Sequence, residues 1–207
     1  MAGWCLAQGP ALQLAQTYQQ GMALEGYWVS EKLDGVRAYW NGEHLISKGG
    51  YVINAPAWFV RGYPSTPMDG ELWMGRGRFS AVSAAVRRVQ PNAEEWRHIR
   101  YKVFDLPASG APFSQRIQQM KALASASNGY TFSVIEQQPA SSHAALLQRL
   151  DKVMAAGGEG LMLHHGDSLY QAGRSDAVLK VKTYQDAEAV VIGYTAGKGK
   201  YRGMMGA

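Results

Sequence analysis

The sequence predicts a mixed α+β domain built largely on antiparallel sheets. Short β-rich runs outnumber helical stripes, and the first of them stand close enough for hairpins. Helices do not alternate regularly with strands, which argues against a doubly wound parallel fold. Taken in order, Leu14, Tyr18 and Met22 recur at intervals of four behind Pro10, a good first-turn residue, and predict a first helix. Strands follow at 27–33, 36–40, 44–46 and 68–73, where β-branched and aromatic residues cluster. Phe79, Val82, Val86 and Val89 predict a second helix with Ser80 as its cap. A strand at 100–104 leads to a third helix on Phe113, Ile117, Met120 and Ala124, stopped by Asn128-Gly129. A strand at 130–135 precedes a fourth helix on Leu146, Leu147, Leu150, Val153 and Met154, which Gly157-Gly158 ends. Strands at 160–164, 177–181 and 187–194 complete the pattern, with a candidate boundary at 183–186.

The chain has 207 residues, enough for one domain and part of another, and enough to bury a core without covalent staples. Hydrophobic residues make up 46% and charged residues 18%, which excludes a disordered or acidic activation segment. Cys5 is the single cysteine, so neither an internal disulfide nor a Cys-based zinc site can form. No apolar run approaches the ~20 residues of a membrane span. Residues 1–10 begin with an apolar stretch that reads either as a leader remnant or as a plain terminus. Net charge is +5, from 21 basic and 16 acidic residues, which permits a polyanionic partner without naming one.

Five short blocks stand out. In Glu31-Lys32-Leu33-Asp34-Gly35-Val36-Arg37, Asp-Gly between two β-rich runs predicts a two-residue hairpin turn with Lys32 across from Arg37. Two like charges facing each other destabilise a hairpin unless an anion lies between them. Asp69-Gly70-Glu71-Leu72 carries acidic groups at the end of an apolar strand, and Phe104 closes another strand. Glu159 follows two glycines at a strand start, and Lys180 and Lys182 share one face of a strand because side chains alternate. Each block alone has an ordinary reading: a solvated strand end, a core phenylalanine, an exposed lysine face. His164-His165 lacks a partner cluster for a metal. Arg76 and Arg78 form a basic loop, equally suited to water or to a DNA backbone.

Together and in this order, the blocks resemble the covalent nucleotidyltransferase superfamily, which comprises ATP-dependent DNA ligases, RNA ligases and mRNA capping enzymes. The resemblance spans residues 27–194. The run Trp28-Val29-Ser30-Glu31-Lys32-Leu33-Asp34-Gly35-Val36-Arg37-Ala38-Tyr39-Trp40, with Asp69–Trp73 and Gly75-Arg76-Gly77-Arg78-Phe79, is similar to the minimal bacterial ATP-dependent DNA ligases. The resemblance implies an ATP-grasp-like adenylation domain at 11–184, followed by an incomplete oligonucleotide-binding (OB) fold at 185–207.

It also implies roles. Lys32 attacks the α-phosphate of ATP and carries AMP, a step that requires the neutral amine. Lys180 and Lys182 hold the α-phosphate, with Arg37 as a further cation near ribose or the nick phosphate. Glu159 binds Mg²⁺ or Mn²⁺, and Glu71 serves the ribose or a second metal ion. Phe104 stacks on adenine, and Ser30 and Glu31 lie where the base edge is read. Lys48 stands where the family usually carries Arg and lacks that residue's bidentate fork. The implied partner is nicked double-stranded DNA, bound by a monomer. An RNA ligase or a capping-type enzyme is the alternative, and a non-catalytic basic module is a third reading. The implied source is bacterial, periplasmic if a leader is present and cytoplasmic otherwise. Residues 186–194 and 198–202 would be the first strands of the barrel. Without the rest of it, slow charging of Lys32 and poor sealing are expected.

Overall fold

The computed structural model describes residues 9–126, 131–183, 195–196, 202–203 and 205–206. Two five-stranded sheets dominate it. The first contains, in spatial order, β1 (Gln13–Thr17), β10 (Gly173–Val181), β9 (Leu161–His165), β2 (Tyr27–Glu31) and β8 (Gln138–Pro139). The second contains β4 (Leu45–Ser47), β3 (Val36–Trp40), β5 (Met68–Trp73), β6 (Arg100–Asp105) and β7 (Phe132–Val134). Pairing is antiparallel except for β1 on β10 and β7 on β6. The mixed α+β expectation holds.

The helices are α1 (Phe79–Val86), α2 (Ala93–Arg97), α3 (Phe113–Ala126) and α4 (His143–Ala155). The second sheet and α1 to α3 enclose one core, in which Trp96, Tyr101, Phe113, Ile117 and Met120 are fully buried. Leu146, Leu150 and Val153 of α4 meet Leu161, Leu163, Leu179 and Val181 of the first sheet in a second core. Strand side chains alternate, so Met162, His164, Val178 and Lys180 point the other way, into the space between the sheets.

Several sequence expectations are corrected. The stripe on Leu14, Tyr18 and Met22 is not a helix; residues 13–17 are an extended edge strand pairing β10 in parallel. Its Gln13 and Ala15 line an internal cavity, so the strand lacks the apolar alternation that would have marked it. Ser80 does not cap α1; Arg78 holds that position without a side-chain cap bond, and Val89 lies beyond the helix at 84% exposure. Asp34-Gly35 does not turn a hairpin. β2 and β3 belong to different sheets, so Lys32 and Arg37 are not a cross-strand pair. Gly35 is needed for close approach: a Cβ there would collide with the Leu72 carbonyl and lie 2.8 Å from Glu71 Cγ. Helix α2 has a legible start that the apolar pattern misses, with Asn92 accepting from the N–H groups of Glu94 (2.9 Å) and Glu95 (3.3 Å).

The expected strand at 187–194 lies outside the described residues, as do Asn128-Gly129 and most of the expected barrel turn. Thr195–Ala196 (β11) and Met205–Gly206 (β12) pair antiparallel. Among the described residues no helix is long and apolar enough to cross a membrane.

Candidate active site

A cavity of about 370 Å³ opens between the two sheets. From the first sheet it is lined by Ser30, Lys32, Met162 and Lys180, and from the second by Arg37, Glu71 and Phe104, with Lys48 beyond β4. Sequence positions up to about 150 residues apart thus converge because each sheet turns one face to helices and the other to this space.

Lys32 follows β2 directly, and its N–H extends the ladder by donating to the Gly160 carbonyl (2.9 Å). Its Nζ donates to Glu159 Oε2 at 2.6 Å, and Lys182 Nζ donates to Glu159 Oε1 at 2.6 Å. Glu159 therefore bridges two lysines. Partial burial pushes its carboxyl up, but the two hydrogen bonds and charges outweigh that and hold it below the usual carboxylate range. Gly160 follows in a left-handed conformation (φ +148°), and a Cβ there would strike the Val181 carbonyl. A glycine is what lets Glu159 reach between the two strand ends.

Arg37 is gripped by Asp69, with Nε to Oδ1 at 3.0 Å and a terminal nitrogen to Oδ2 at 2.6 Å. Asp69 is fully buried, not a solvated strand end as its place in the sequence suggests. Tyr170 donates to Asp69 Oδ2 at 2.8 Å and accepts from the Gln13 N–H at 3.2 Å. This fork-to-fork pairing fixes the guanidinium plane, with its carbon 5.3 Å from the centre of the Phe104 ring. Phe104 is anchored by its neighbour: Asp105 accepts two bonds from the buried Arg116, at 2.6 and 3.0 Å, and Arg116 also donates to the Ala111 and Ser168 carbonyls.

Glu31 also borders the cavity, but its carboxylate is taken by Arg76 in a bidentate pair at 2.8 Å for both bonds. Arg76 is thereby a clasp between the loop after β5 and the end of β2. The structure thus gathers Ser30, Glu31, Lys32, Arg37, Lys48, Glu71, Phe104 and Lys180 around one cavity, with Glu159 and Lys182 bonded at its edge. Sequence reasoning missed Asp69, Tyr170, Met162 and the Arg76–Glu31 pair. Asp69 and Arg76 stand inside blocks already singled out; Tyr170 carries no local signal.

His164 does not present a metal ligand pair with His165. Its ring stacks on Phe113 at 3.5 Å, and burial, with Arg116 nearby, pushes its imidazole well below the ordinary value, so it is neutral. His165 packs edge-on against Tyr27. Among the described residues no group of three or more His, Cys, Asp or Glu side chains could hold a metal ion by itself.

Glu71 is the most perturbed carboxyl of the cavity. Burial, helped by Asp69 and Glu159 and opposed by Lys32 and Arg37, pushes it from 4.5 up to about 8. A carboxyl whose value is higher folded than unfolded takes up a proton on folding between those two pH values. Its contribution is complete below about pH 4.5 and lost as pH rises through about 8. Glu71→Gln mimics the protonated form and is expected to melt near wild type at pH 4.5 but above it at pH 8.5. Thermal melts at the two pH values check this, and an unchanged difference between variant and wild type would exclude Glu71 as the titrating group.

A comparison with protein-family profiles finds no match. Among curated proteins, a DNA ligase of Haemophilus influenzae is 34% identical over 196 residues, covering 95% of this chain and 72% of that protein. The chain belongs to the DNA ligases. A solved structure of a Lig E DNA ligase, described as binding DNA with a minimal scaffold, is 44% identical with a TM-score of 0.89 and covers 95% of this chain and 78% of that one. A Chlorella virus DNA ligase-adenylate shares the fold at 20% identity, with a TM-score of 0.70 over 91% of this chain and 74% of that one. The two relatives above 30% identity are both DNA ligases, which supports the DNA-ligase reading over the RNA-ligase, capping and non-catalytic ones.

Proposed function

We propose that this ligase-family chain joins nicks in double-stranded DNA through an AMP-charged Lys32, acting as a monomer. The observation that carries the reading is the position of Lys32 Nζ, bonded to Glu159 and lining the cavity that Phe104 borders and Lys180 and Arg37 enter. The neutral amine of Lys32 attacks the α-phosphorus of ATP, the P–N bond forms, and the bond to pyrophosphate breaks. AMP then passes to the 5′-phosphate at a nick, freeing Lys32, and the adjacent 3′-hydroxyl displaces AMP to close the strand. Lys180 and Lys182 stabilise charge on the α-phosphate; Arg37, with its plane fixed by Asp69, meets ribose or the nick phosphate. Lys48 supplies a single point charge in place of a guanidinium fork. Residues 11–184 form the adenylation unit.

The carboxylates Glu159 and Glu71 suit Mg²⁺, a hard cation that takes one or two protein carboxylates and completes its shell with phosphate oxygens and water. Burial first, and the Asp69 and Glu159 charges after it, push the Glu71 carboxyl up, and a cation there would favour its ionised form. When bound, the ion supplies neutralisation of the phosphates.

Intact-protein mass spectrometry after incubation with ATP and Mg²⁺, followed by sealing of a nicked duplex, tests the reading. An AMP adduct that disappears when nicked DNA is added supports it; no adduct on the wild-type chain overturns it. Phe104→Ala is expected to weaken ATP use by about 1–3 kcal/mol, the range for base–aromatic stacking. The ATP dependence of charging measures this, and unchanged dependence in a folded variant would make Phe104 ordinary packing.

A further inference from the structure

We infer that Gln137 reads the 6-amino group of the adenine ring and is a determinant of nucleotide choice. The inference rests on the ATP-charging reading above and adds a residue to it. Gln137 lies in the link between β7 and β8, is 8% exposed and lines the cavity. Its Oε1 is buried and has no hydrogen-bond partner among the described residues. A buried acceptor left unpaired costs about 1–3 kcal/mol, so one on a residue that lines a ligand-sized cavity calls for a donor from the ligand.

The strand register says which part of a ligand that is. β8 pairs β2 with Gln138 across from Val29, so residue 137 stands beside Ser30. Ser30 faces Met162 on β9, and Met162 faces Lys180 on β10. Gln137, Ser30, Met162 and Lys180 thus form one row across the sheet, roughly 14 Å from end to end at three strand spacings. One end of the row is cationic, its centre is the apolar Met162, and the other end holds the unpaired acceptor and the buried Ser30. On the second sheet, Ile135 donates to the Val103 carbonyl at 2.9 Å, which carries the chain past Phe104 on its way to Gln137. A nucleotide lying along this row has its base between Phe104 and Met162 and its phosphate at Lys180. The base edge remote from the sugar then meets Gln137. Oε1 accepts from an exocyclic amine; a keto oxygen at that position would set two acceptors against each other.

The test compares charging of Lys32 by ATP, by purine riboside triphosphate, which lacks the 6-amino group, and by ITP, which carries a 6-keto group. Intact-mass spectrometry follows the wild type, Gln137→Leu and Gln137→Glu, with thermal melts as a check on folding. The wild type is expected to favour ATP over both analogues by roughly tenfold or more, the scale of one buried hydrogen bond. Gln137→Leu should bring the ratios close to one. Gln137→Glu keeps the acceptor and should retain a preference for ATP over purine riboside triphosphate even if charging is slower overall. Equal use of ATP and purine riboside triphosphate by the wild type overturns the inference, as do unchanged ratios in Gln137→Leu. If that variant does not fold, the Gln137→Glu ratio decides, its loss overturning the assignment. A wild type that forms no adduct with any of the three refutes the charging reading itself, a distinct failure.

Discussion

Lys32→Ala is expected to lose covalent AMP labelling entirely while melting close to wild type. The lysine side chain lines the cavity and belongs to neither apolar core, so its truncation leaves the packing of both cores in place. Glu159 keeps Lys182 as a partner at 2.6 Å, so no unpaired charge is left behind. The ladder bond of Lys32 to Gly160 is made by the backbone and survives the substitution. What disappears is the nitrogen proposed to form the bond to phosphorus, and no neighbouring group replaces it: Lys180 and Lys182 approach from the other side of Met162 and Glu159. The measurement is intact-protein mass after incubation with ATP and Mg²⁺, beside a thermal melt. An AMP adduct persisting on a folded Lys32→Ala protein would move the nucleophile elsewhere.

The sequence made this residue visible for a reason that turned out to be partly wrong. The Asp34-Gly35 pair looked like a hairpin turn, and the facing of Lys32 and Arg37 was read from it. In the structure the same dipeptide passes the chain from one sheet to the other, and Gly35 is small because β5 crosses it. Lys32 and Arg37 still line one cavity, but through two sheets and not one hairpin. Central strands such as β3 and β5 were legible because their core-facing apolar residues recur at even spacing, Ala38 and Trp40 on one and Met68 and Leu72 on the other. Edge strand β1 was not, since Gln13 and Ala15 face the cavity and the spacing of Leu14, Tyr18 and Met22 imitates a helix. Ion-pair partners were the least legible. Nothing local joins Asp69 to Arg37 and Tyr170, or Arg76 to Glu31; each choice is made by the tertiary fold across 32 to 101 positions.

Glu159→Gln is the second large effect: AMP charging is expected to slow by about a hundredfold or more, the scale for removing one preorganised electrostatic partner. In the wild type both carboxylate oxygens accept from an ammonium, Lys32 on one and Lys182 on the other. An amide keeps one acceptor and turns an NH₂ toward the second lysine, so one of the two loses its partner and the two positive charges lose the negative one between them. Lys32 and Lys182 are then no longer held together on one group. The substitution also removes one of the two carboxylates suited to Mg²⁺, so the Mg²⁺ concentration needed for half-maximal charging should rise. Because the wild-type carboxyl sits below the usual range, it is ionised throughout neutral pH, and raising the pH should not restore the variant. The measurement is the rate of adduct formation against Mg²⁺ and pH, with Glu159→Asp beside it to separate charge from reach. Charging within a few fold of wild type at ordinary Mg²⁺ would show that Glu159 only tethers the two lysines, and would leave the metal to Glu71 and the phosphates.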